Sequence, residues 1–533
     1  MSQTAASAAN SLWRLSCEPA RRRMKQALAN PGEAQSRVLR RLLEKNNQTV
    51  FGRKHGLQSG MSIADFQQAV PVRDYDEFLP WIEQMKNGQR NVLCHDPTLA
   101  FEKSSGSTAA AKYIPFTGGL RSEFQEAVRA WMGDLMGRHP SAAKGPAWWL
   151  ISPLRHPQEV TACGIPVGLP GDDEYLGPCE RWIASWLWAV PPAVGKVPDL
   201  DKSLDWTIRF LIQEPELRLI SVWNPSLLLL IWQRFLENAD RFLAQLAQGT
   251  GPKGPATLTG KLRALPERAK ALGRRAELSP ADLWPRLAIV SAWADGEAAR
   301  DASRASELFQ GVTLQPKGLL ATEGVVSIPW ENDAAAGVPA LHSHFLEFME
   351  SAECPVRLIE ELEEGRDYTV LLTTGGGLWR YRLGDRLRIE GRAQATPRLK
   401  WVGRSDDVCD LRGEKLHPQF VAGALDGLCS GFRLLAPCRE EDPPHYILFV
   451  DQPFAAAGID AALQTNPHYA HARRVGQLGS VRIFQLREAS PEAAYLRRCV
   501  LLGQRAGTIK PVVLHRASGW ETWFEGNFTD FPK

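Results

Sequence analysis

The segment from residue 368 to residue 385 constrains the fold of this chain more than any other. An apolar run, YTVLLTT, is followed by the glycines 375–377 and then by LWRYRLGD. Two strand-like runs around a glycine turn predict a β-hairpin. In the second run, apolar side chains alternate with Arg380 and Arg382. We therefore expect one apolar face and one basic face.

Other short apolar runs have the composition of buried strands separated by turn residues. They are PAWWLISPL at 146–154, RLAIVSAW at 286–293 and GVTLQPKGLL at 311–320. From about Gly403 onward, strand patterns such as HYILFV alternate with helical patterns, which predicts a small α/β domain. Because 533 residues are too many for one compact core, we expect a large domain over 1–402 and a small one over 403–533.

The overall charge and hydropathy exclude several classes of partner. A net charge of +3 is nearly neutral at this length, so nothing calls for nucleic acid or an anionic membrane. The most apolar stretch, LISVWNPSLLLLIWQRFL, is too short and too polar to span a bilayer. The N-terminal MSQTAASAANSLWRLS lacks the basic and apolar regions of a secretory signal. We therefore expect a cytoplasmic protein.

The cysteines and histidines do not form a metal-binding pattern in the sequence. The nine cysteines are scattered, odd in number and never spaced C-x-x-C. This distribution indicates free thiols in a reducing compartment rather than a disulfide framework or a zinc site. His342 and His344 are two residues apart with no third ligand nearby, which favours ordinary strand or loop histidines over metal ligands.

A hydroxyl-rich loop lies within FEKSSGSTAAAKYIPFT. Its candidate phosphate ligands are Ser104, Ser105, Gly106, Ser107, Thr108 and Lys112. Hydroxyls and exposed amides donate to phosphate oxygens, glycine permits close approach, and lysine supplies a positive charge. The segment is not a Walker loop, because G-x-x-x-x-G-K-[ST] is absent. Composition alone favours an ordinary serine–glycine turn between two elements.

Two acidic residues follow apolar runs. In LLATEGVVSIP, Thr322 and Glu323 come at the C-terminal end of a strand, where ligands bind in open α/β sheets. A carboxylate there can hold Mg²⁺ beside phosphates, although a surface glutamate after a strand is far more common. In LWRYRLGDRLRI, Asp385 follows Gly384 at an expected turn. It can accept both hydroxyls of a ribose, or it can be a solvated turn residue.

Two basic segments complete the set. KWVGRSDDVCDLRGEKLHP gathers several charged residues, including Arg404 and Lys415, and is also typical of a charged loop capping a strand. In AGTIKPVVL, Lys510 precedes Pro511, and a lone lysine is nearly always solvated. Each of the five segments alone is weak evidence of function, and the stronger evidence is their order along the chain.

Taken in order, the five segments resemble those of the adenylate-forming superfamily of acyl-CoA synthetases, nonribosomal adenylation domains and luciferases. A closer resemblance is to the Gretchen Hagen family of auxin-responsive acyl acid amido synthetases. It rests on FGRKHGL, FQQAVPVRDYDEFLPWIEQMKNGQRNVLCHDPTLAFEKSSGST, LHSHFLEFME and GRDYTVLLTTGGGLWRYRLGDRLRIEG. The likeness runs from about residue 50 to the end. The Arg/Ala/Leu-rich composition and the G-R-S-D-D segment favour a bacterial-type member over a plant one.

The resemblance implies an α/β fold with a large N-terminal adenylate-forming domain, in which helices flank mixed β-sheets. It also implies a small mobile α/β C-terminal domain, which swings about a joint at roughly 400–407 between two half-reactions. ATP and Mg²⁺ are the implied cofactors. A carboxylic acid and an amino acid are the implied small-molecule substrates, and the sequence does not set the oligomeric state.

The resemblance also implies roles for the candidate residues. Residues 104–108 and Lys112 would hold the β- and γ-phosphates, Thr322 would contact the α-phosphate, and Glu323 would bind Mg²⁺. The remaining ATP contacts would come from three further residues. Asp385 would hold the ribose, Arg404 would lie near the joint, and Lys510 would bridge the α-phosphate and the attacking carboxylate.

Three segments resemble those that line the acyl pocket in the family, namely PAWWLISPL, CERWIASWLWAV and LISVWNPSLLL. Their aromatic residues are Trp148, Trp149, Trp182, Trp186, Trp188 and Trp223. We expect most of them to be core residues and only one or two to contact substrate.

Three functions fit these observations. The leading hypothesis is an ATP-dependent ligase that adenylates a carboxylic acid and transfers the acyl group to an amino acid amine. A second keeps the adenylation and transfers the acyl group to coenzyme A or to a carrier-protein thiol. A third, from another class, is a nucleotide-binding partner protein that has lost catalysis.

Overall fold

The computed structural model describes most of the chain, in two compact units. The described residues are 3–104, 112–150, 159–169, 178–296, 298–331, 336–351, 353–404, 408–452, 458–502, 504 and 509–529. The first unit comprises Met1–Asp295 and Ala302–Val402, and the second comprises Gly296–Asp301 and Gly403–Lys533.

Helices make up most of the N-terminal part of the first unit and recur between its strands. They are α1 (Gln3–Ala27), α2 (Pro31–Asn46), α3 (Val50–Lys54), α4 (Ile63–Ala69), α5 (Tyr75–Lys86), α6 (Gly118–Arg138), α7 (Pro178–Ser185), α8 (Leu200–Ile212), α9 (Pro225–Glu237), α10 (Ala239–Gln248), α11 (Ala256–Thr259), α12 (Pro266–Gly273), α13 (Pro280–Leu283) and α14 (Ala298–Leu308). In α2, Pro31 occupies the start of the helix, where its missing N–H would have no partner. Val38 and Leu42, four residues apart, are buried on one face.

The strands of the first unit are short, apart from a long pair near its end. They are β1 (Thr98–Ser104), β2 (Lys112–Thr117), β3 (Ala147–Trp149), β4 (Glu159–Val160), β5 (Pro166–Val167), β6 (Leu219–Ser221), β7 (Ile289–Ala292), β8 (Thr313–Pro316), β9 (Leu320–Ala321), β10 (Gly324–Val325), β11 (Ser327–Ile328), β12 (Val338–Pro339), β13 (Phe345–Met349), β14 (Asp367–Thr373), β15 (Tyr381–Ala393) and β16 (Thr396–Arg404). They form four-stranded sheets in the orders β2-β1-β5-β4, β3-β6-β7-β8 and β13-β14-β15-β16, and the two-stranded pairs β9–β10 and β11–β12.

A parallel sheet contains the predicted short strands. The neighbours β3, β6, β7 and β8 all run in the same direction. A parallel sheet is covered on both faces, and the strands β3, β6 and β7 are mostly buried and apolar, as the sequence runs around them are. Strand formation at β3, β7 and β8 confirms the prediction from these runs. The mixture of parallel and antiparallel sheets with flanking helices confirms the predicted fold class.

The predicted hairpin is also confirmed. Strands β14 and β15 pair antiparallel, with Leu372 opposite Tyr381, and the glycines 375–377 form the connection. Gly377 has a φ of +93°, a conformation that glycine adopts without strain. A Cβ at this position would also lie 2.6 Å from Leu93 Cβ, so the turn needs glycine for space as well.

The predicted basic face of the hairpin is wrong at Arg380. Arg380 lies just before β15 with a φ of +50° and is 4% exposed. Its Nε lies 3.0 and 3.1 Å from the two carboxylate oxygens of Glu347, and Nη1 donates to the carbonyls of Gln67 and Val70. The left-handed backbone turns the side chain out of the alternating pattern, and the buried carboxylate and carbonyls satisfy its donors. Arg382, by contrast, is partly exposed beside Asp74.

The second unit is a small α/β fold around one mixed sheet. Its strands are β17 (Arg433–Cys438), β18 (His445–Val450), β19 (Arg482–Leu486) and β20 (Gly526–Phe528), in the order β17-β18-β19-β20. Only β18 and β19 pair in parallel. Its helices are α15 (Pro418–Leu425), α16 (Ile459–Leu463), α17 (Pro467–Arg474) and α18 (Pro491–Leu501). Apolar residues from the sheet and helices, such as Val421, Leu448 and Ile483, form the core.

Two further observations concern both units. The cysteines whose side chains the structure describes are free thiols, six of them buried and two exposed. No helix in the part of the chain that the structure describes combines the length and apolar character needed to cross a bilayer.

Candidate active site

Thr322 and Glu323 form the two-residue turn of a short hairpin. Strand β9 pairs with β10 so that Ala321 lies opposite Gly324 and Leu320 opposite Val325. The sequence predicted that the two residues follow a strand, and the chain also turns back at once into a second strand. Glu323 is only 7% exposed, so its carboxylate lies within the protein rather than in bulk solvent. A tight turn fixes the backbone on both sides of this carboxylate.

A buried histidine holds the strand that follows this turn. His344 is fully buried, and the backbone N–H of Val325 donates to its Nε2 at 2.9 Å. Because Nε2 accepts this bond, the ring proton is on Nδ1, which donates to Glu123 Oε2 at 2.9 Å. A Cβ at residue 324 would lie 2.8 Å from Nε2, so this close approach depends on Gly324. Both ring nitrogens of His344 are therefore engaged by protein groups.

Glu123 extends the same network to the glycine turn of the long hairpin. It lies on α6, is 6% exposed, and accepts the backbone N–H of Gly375 at 3.0 and 2.9 Å through its two oxygens. The carbonyl of Gly375 in turn accepts the Thr117 hydroxyl at 2.9 Å, and Thr117 also accepts the Leu120 N–H at the start of α6. One carboxylate thus ties α6 to the glycine turn and, through His344, to the Thr322–Glu323 turn.

The same network reaches the strand that follows the hydroxyl-rich loop. Thr117 is the last residue of β2, and Lys112 is the first. Lys112 Nζ donates to the hydroxyl of Tyr381 at 3.4 Å and lies 5.7 Å from the centroid of the Tyr75 ring. Since Tyr381 begins β15, Lys112 lies at the start of the strand that carries Asp385.

The hydroxyl-rich loop itself connects two antiparallel strands. Ser104 ends β1 directly opposite Lys112 at the start of β2. Ser105, Gly106, Ser107 and Thr108 lie outside the described residues. The described flanks fix where this loop leaves and rejoins the sheet.

Asp385 does not lie in a turn, as the sequence predicted, but inside β15. The register shifts here, so that three residues of β15, from Leu383 to Asp385, lie opposite the single residue Val370. Gly384 has a φ of +88° in this bulge, which is why its sequence pattern resembles that of a turn. Asp385 is 4% exposed, and its Oδ1 accepts the indole N–H of Trp401 at 2.6 Å.

Arg404 and Lys510 belong to the second unit. Arg404 ends β16, and its carbonyl accepts the Nε2–H of His417 at 2.7 Å. The carbonyl of Lys510 accepts the hydroxyl of Tyr495 at 3.2 Å, while the Lys510 side chain is exposed. The structure therefore gives these two residues a defined backbone within their own unit.

Sequence reasoning missed Glu414, which organises the charged loop after Arg404. Glu414 is fully buried and accepts the N–H groups of Leu411 and Arg412, both at 2.7 Å, as well as the hydroxyl of Tyr446. Burial of that phenol raises the pKa of Tyr446 well above its usual value, so it remains a neutral donor. Lys415 follows with a φ of +47°. In the sequence, Glu414 is one charge among many, and no local signal distinguishes it.

Sequence reasoning also missed a buried cation at the carboxyl edge of the parallel sheet. Lys317 directly follows β8, is 6% exposed, and donates to the Ser221 hydroxyl at the end of β6 at 2.7 Å. Its Nζ lies 4.8 Å from the Trp223 ring centroid and 5.2 Å from that of Trp131. Ligands of open α/β sheets bind at this edge, so Lys317 supplies positive charge where an anionic substrate is expected.

The expected aromatic pocket residues differ in exposure. Trp148 is 2% exposed and belongs to the core. Trp182 and Trp186 are strongly exposed and pack edge to face against each other. Among the expected pocket residues, Trp223 lies beside the Lys317 ammonium group at the carboxyl edge of the parallel sheet.

Family models match most of the first unit. Residues 20–314 match the GH3 family N-terminal domain, and residues 337–404 match the GH3 family central domain. Together these stretches cover more than half of the chain.

Curated relatives match over most of their length at low identity. An indole-3-acetic acid-amido synthetase of Oryza sativa subsp. indica is 24% identical over 474 residues, which is 79% of this chain and 75% of the relative. A jasmonoyl–L-amino acid synthetase of Nicotiana attenuata is 22% identical over 507 residues, which is 85% of this chain and 86% of the relative.

A solved structure with the same fold covers almost the whole chain. It is an acyl acid amido synthetase in complex with 2,4-DB, at a TM-score of 0.80 and 18% identity. The match covers 99% of this chain and 98% of that one. At this level of identity, the likeness establishes the fold.

We predict that two substitutions of His344 will separate its two hydrogen bonds. His344→Gln places an amide near the position of Nε2 and can still accept the Val325 N–H, whereas His344→Asn can reach only Glu123. Losing the acceptor of a buried N–H costs about 1–3 kcal/mol. Hydrogen exchange of the peptide containing Val325 should therefore accelerate in His344→Asn and much less in His344→Gln.

The peptide containing Gly375 provides the internal control, because its N–H bonds to Glu123 and not to the histidine. Equal acceleration of the Val325 peptide in both variants would contradict the assignment of Nε2 as acceptor.

Proposed function

Because this chain belongs to the GH3 family, we propose that it is an acyl acid amido synthetase. It activates a carboxylic acid with ATP and then transfers the acyl group to the amine of an amino acid. The observation that carries the proposal is the network of Glu123 and His344. It links the glycine turn of the hairpin that bears Asp385 with β2 and the Thr322–Glu323 turn. The names of the matched plant relatives support amide formation as the second step.

ATP is proposed to bind through the segments that this network connects. Ser104, Ser105, Gly106, Ser107 and Thr108 hold the β- and γ-phosphates with Lys112, and Thr322 contacts the α-phosphate. Asp385 binds the ribose, and the bond from Trp401 to Oδ1 orients its carboxylate. A carboxylate accepts hydrogen bonds on both oxygens, which suits a pair of neighbouring hydroxyls.

Glu323 is the proposed ligand of Mg²⁺. Its carboxylate is an oxygen donor, the type that Mg²⁺ prefers, and it lies largely buried on a rigid turn. When bound, the ion neutralises phosphate charge. Glu323 would set where that charge lies, and its neighbour Thr322 would contact the α-phosphate.

The first half-reaction joins two anions. A carboxylate oxygen of the acid attacks the α-phosphorus, an acyl–adenylate forms, and the bond to pyrophosphate breaks. Because like charges repel, positive charge must be fixed at the bridging oxygens in advance. Lys510 is proposed to supply this charge between the α-phosphate and the attacking carboxylate.

The second half-reaction forms the amide. The amine nitrogen attacks the acyl carbon, the bond to AMP breaks, and the nitrogen loses a proton. We propose that the second unit acts as a mobile domain, with its joint at about 400–407 near Arg404, so that different residues serve the two steps. The cytoplasmic location and the bacterial-type membership stay predictions.

The acid is proposed to lie at the carboxyl edge of the parallel sheet. Lys317, with Ser221, attracts its carboxylate, and Trp223 forms part of the pocket wall. Aromatic walls bind apolar acyl groups, and a buried cation orients the charged end. This region is the part of the site where substrate preference is set.

Pyrophosphate release from ATP with a panel of carboxylic acids tests the proposed function. The panel should include aryl, indole-type, jasmonate-type and aliphatic acids. Acid-dependent release, followed by N-acyl amino acids in the mass spectrum when amino acids are added, is the expected result. Formation of a thioester with coenzyme A instead would support the second candidate function. Absence of pyrophosphate release with every acid of the panel, despite measurable ATP binding, would support a nucleotide-binding partner protein.

We predict that Lys510→Ala lowers acid-dependent pyrophosphate release by about 100-fold or more, because one fixed stabiliser of a transition state contributes on that order. ATP binding, measured by calorimetry, should remain, since the nucleotide contacts other residues. Arg474→Ala, which removes another exposed cation of the second unit, is the matched control. Normal pyrophosphate release by Lys510→Ala would remove Lys510 from the mechanism.

We predict that Glu323→Gln lowers pyrophosphate release by about 100- to 1,000-fold at limiting Mg²⁺. The amide keeps the shape of the side chain and removes the negative charge that binds the ion. Raising the Mg²⁺ concentration should partly restore the rate in Glu323→Gln but not in Lys510→Ala. The exposed Glu353, changed to Gln, is the control. An unchanged Mg²⁺ dependence in Glu323→Gln would assign the ion to another ligand.

A further inference from the structure

A cysteine, a glutamate and a histidine converge at one end of the sheet in the second unit. Cys438 ends β17 and His445 begins β18, and the two residues lie directly opposite each other in the antiparallel register. The loop between them carries Glu441. The Cys438 sulfur, a Glu441 carboxylate oxygen and a His445 ring nitrogen all lie within 4.8 Å of one another.

The histidine of this cluster is buried and has a ring nitrogen without a described partner. His445 is 4% exposed, and no group among the described residues offers its Nε2 a hydrogen bond. A buried ring nitrogen without a partner is costly, and a metal ion within the cluster would supply one.

We propose that Cys438, Glu441 and His445 form a binding site for a zinc-class divalent ion, separate from the ATP site. One sulfur, one nitrogen and one oxygen donor suit Zn²⁺, whereas Mg²⁺ and Ca²⁺ take oxygen ligands. Three protein ligands leave the fourth tetrahedral position to water. Bond lengths of about 2.0–2.3 Å place zinc ligands roughly 3.5 Å apart, so the three side chains close slightly around the ion.

The surrounding charges fit this chemistry. The imidazole of His445 is enclosed by protein, and neutral imidazole is the form that binds metals. The Cys438 S–H faces a carboxylate oxygen of Glu440 at 3.8 Å. On binding, the S–H bond breaks, the sulfur–metal bond forms, and one proton leaves to solvent.

Arg482 both supports and limits the site. Its Nη1 lies 3.0 and 3.3 Å from the two carboxylate oxygens of Glu441, and its guanidinium packs on the Phe528 ring at 4.0 Å. This contact holds the carboxylate beside Cys438 and His445, as partners of metal-bound carboxylates do. Its positive charge also weakens the attraction for a cation. We therefore expect Arg482→Gln to change the affinity rather than abolish binding.

The cysteine spacing in the sequence gives no sign of this site. The ligands follow the spacing C-x-x-E-x-x-x-H, with a single cysteine, and they meet only because β17 and β18 pair in this register. An ion there would join the two strands at the open end of the hairpin. Binding to the folded state alone stabilises that state by mass action.

Cobalt substitution of the full chain tests the proposal. The protein, stripped with chelator, should bind one Co²⁺ in this unit and develop a near-ultraviolet thiolate-to-cobalt charge-transfer band. The band should disappear when Zn²⁺ displaces the cobalt ion. Cys438→Ser should lose the band, and His445→Asn should lower Zn²⁺ affinity by about 100-fold or more, beyond the effect of losing an outer partner. Cys354→Ser is the matched control, because Cys354 is an exposed thiol that also lies near a carboxylate-bearing residue.

Each outcome supports or overturns the metal site without a measurement of catalysis. A charge-transfer band that disappears in Cys438→Ser and persists in Cys354→Ser supports the site. A wild-type protein that develops no band with Co²⁺, or a band that survives Cys438→Ser, overturns it. If His445→Asn fails to fold, Glu441→Gln provides a second ligand variant at an exposed position, with weaker Zn²⁺ binding expected. Loss of pyrophosphate release in any variant bears on the proposed function and not on the metal site.

Discussion

The buried carboxylate of Glu123 is the interaction on which the first unit depends. Removing a carboxylate from water is costly unless hydrogen bonds replace the lost solvation. Glu123 receives the N–H of Gly375 on its two oxygens and the Nδ1–H of His344 on one of them. Each donor comes from a different part of the chain, so the carboxylate is satisfied only when α6, the glycine turn and the His344 segment are all in place. Local misplacement of any one of them removes a hydrogen bond from a buried carboxylate.

This dependence gives the proposed ATP site its rigidity. The Thr322–Glu323 turn has too few residues to fix its own position, and the His344–Val325 bond attaches it to α6. A similar arrangement holds the start of β15, where Arg380 pairs with Glu347 and with two backbone carbonyls. Buried polar pairs of this kind are weak sources of stability but strong determinants of geometry, because alternative packings leave them unpaired. Transition-state stabilisation requires such fixed geometry.

The sequence predicted the parts of the fold that depend on local pattern. The hairpin after Tyr368 and the strands β3, β7 and β8 follow from apolar runs and a glycine turn. The predicted turn at Asp385 was wrong, because a glycine in a left-handed conformation occurs in turns and in bulges alike. Only the register with Val370 distinguishes the two. The Glu123–His344 pair had no sequence signal, since 221 residues separate the two side chains. Lys317 and Glu414 were missed for the same reason, because their burial is a property of tertiary packing.

The exposure of the proposed catalytic groups follows the order of the two half-reactions. Glu323 and Asp385, which would contact the nucleotide in both steps, are 7% and 4% exposed and lie on a turn and a bulge held by the surrounding structure. Lys510, which would act only while the carboxylate attacks phosphorus, carries an exposed side chain on a unit with its own core. A group that leaves after the first step cannot also belong to a buried hydrogen-bonded network, because breaking such a network costs about 3–5 kcal/mol. The proposed division, with lasting nucleotide contacts in the first unit and a transient lysine on the second, would meet both requirements.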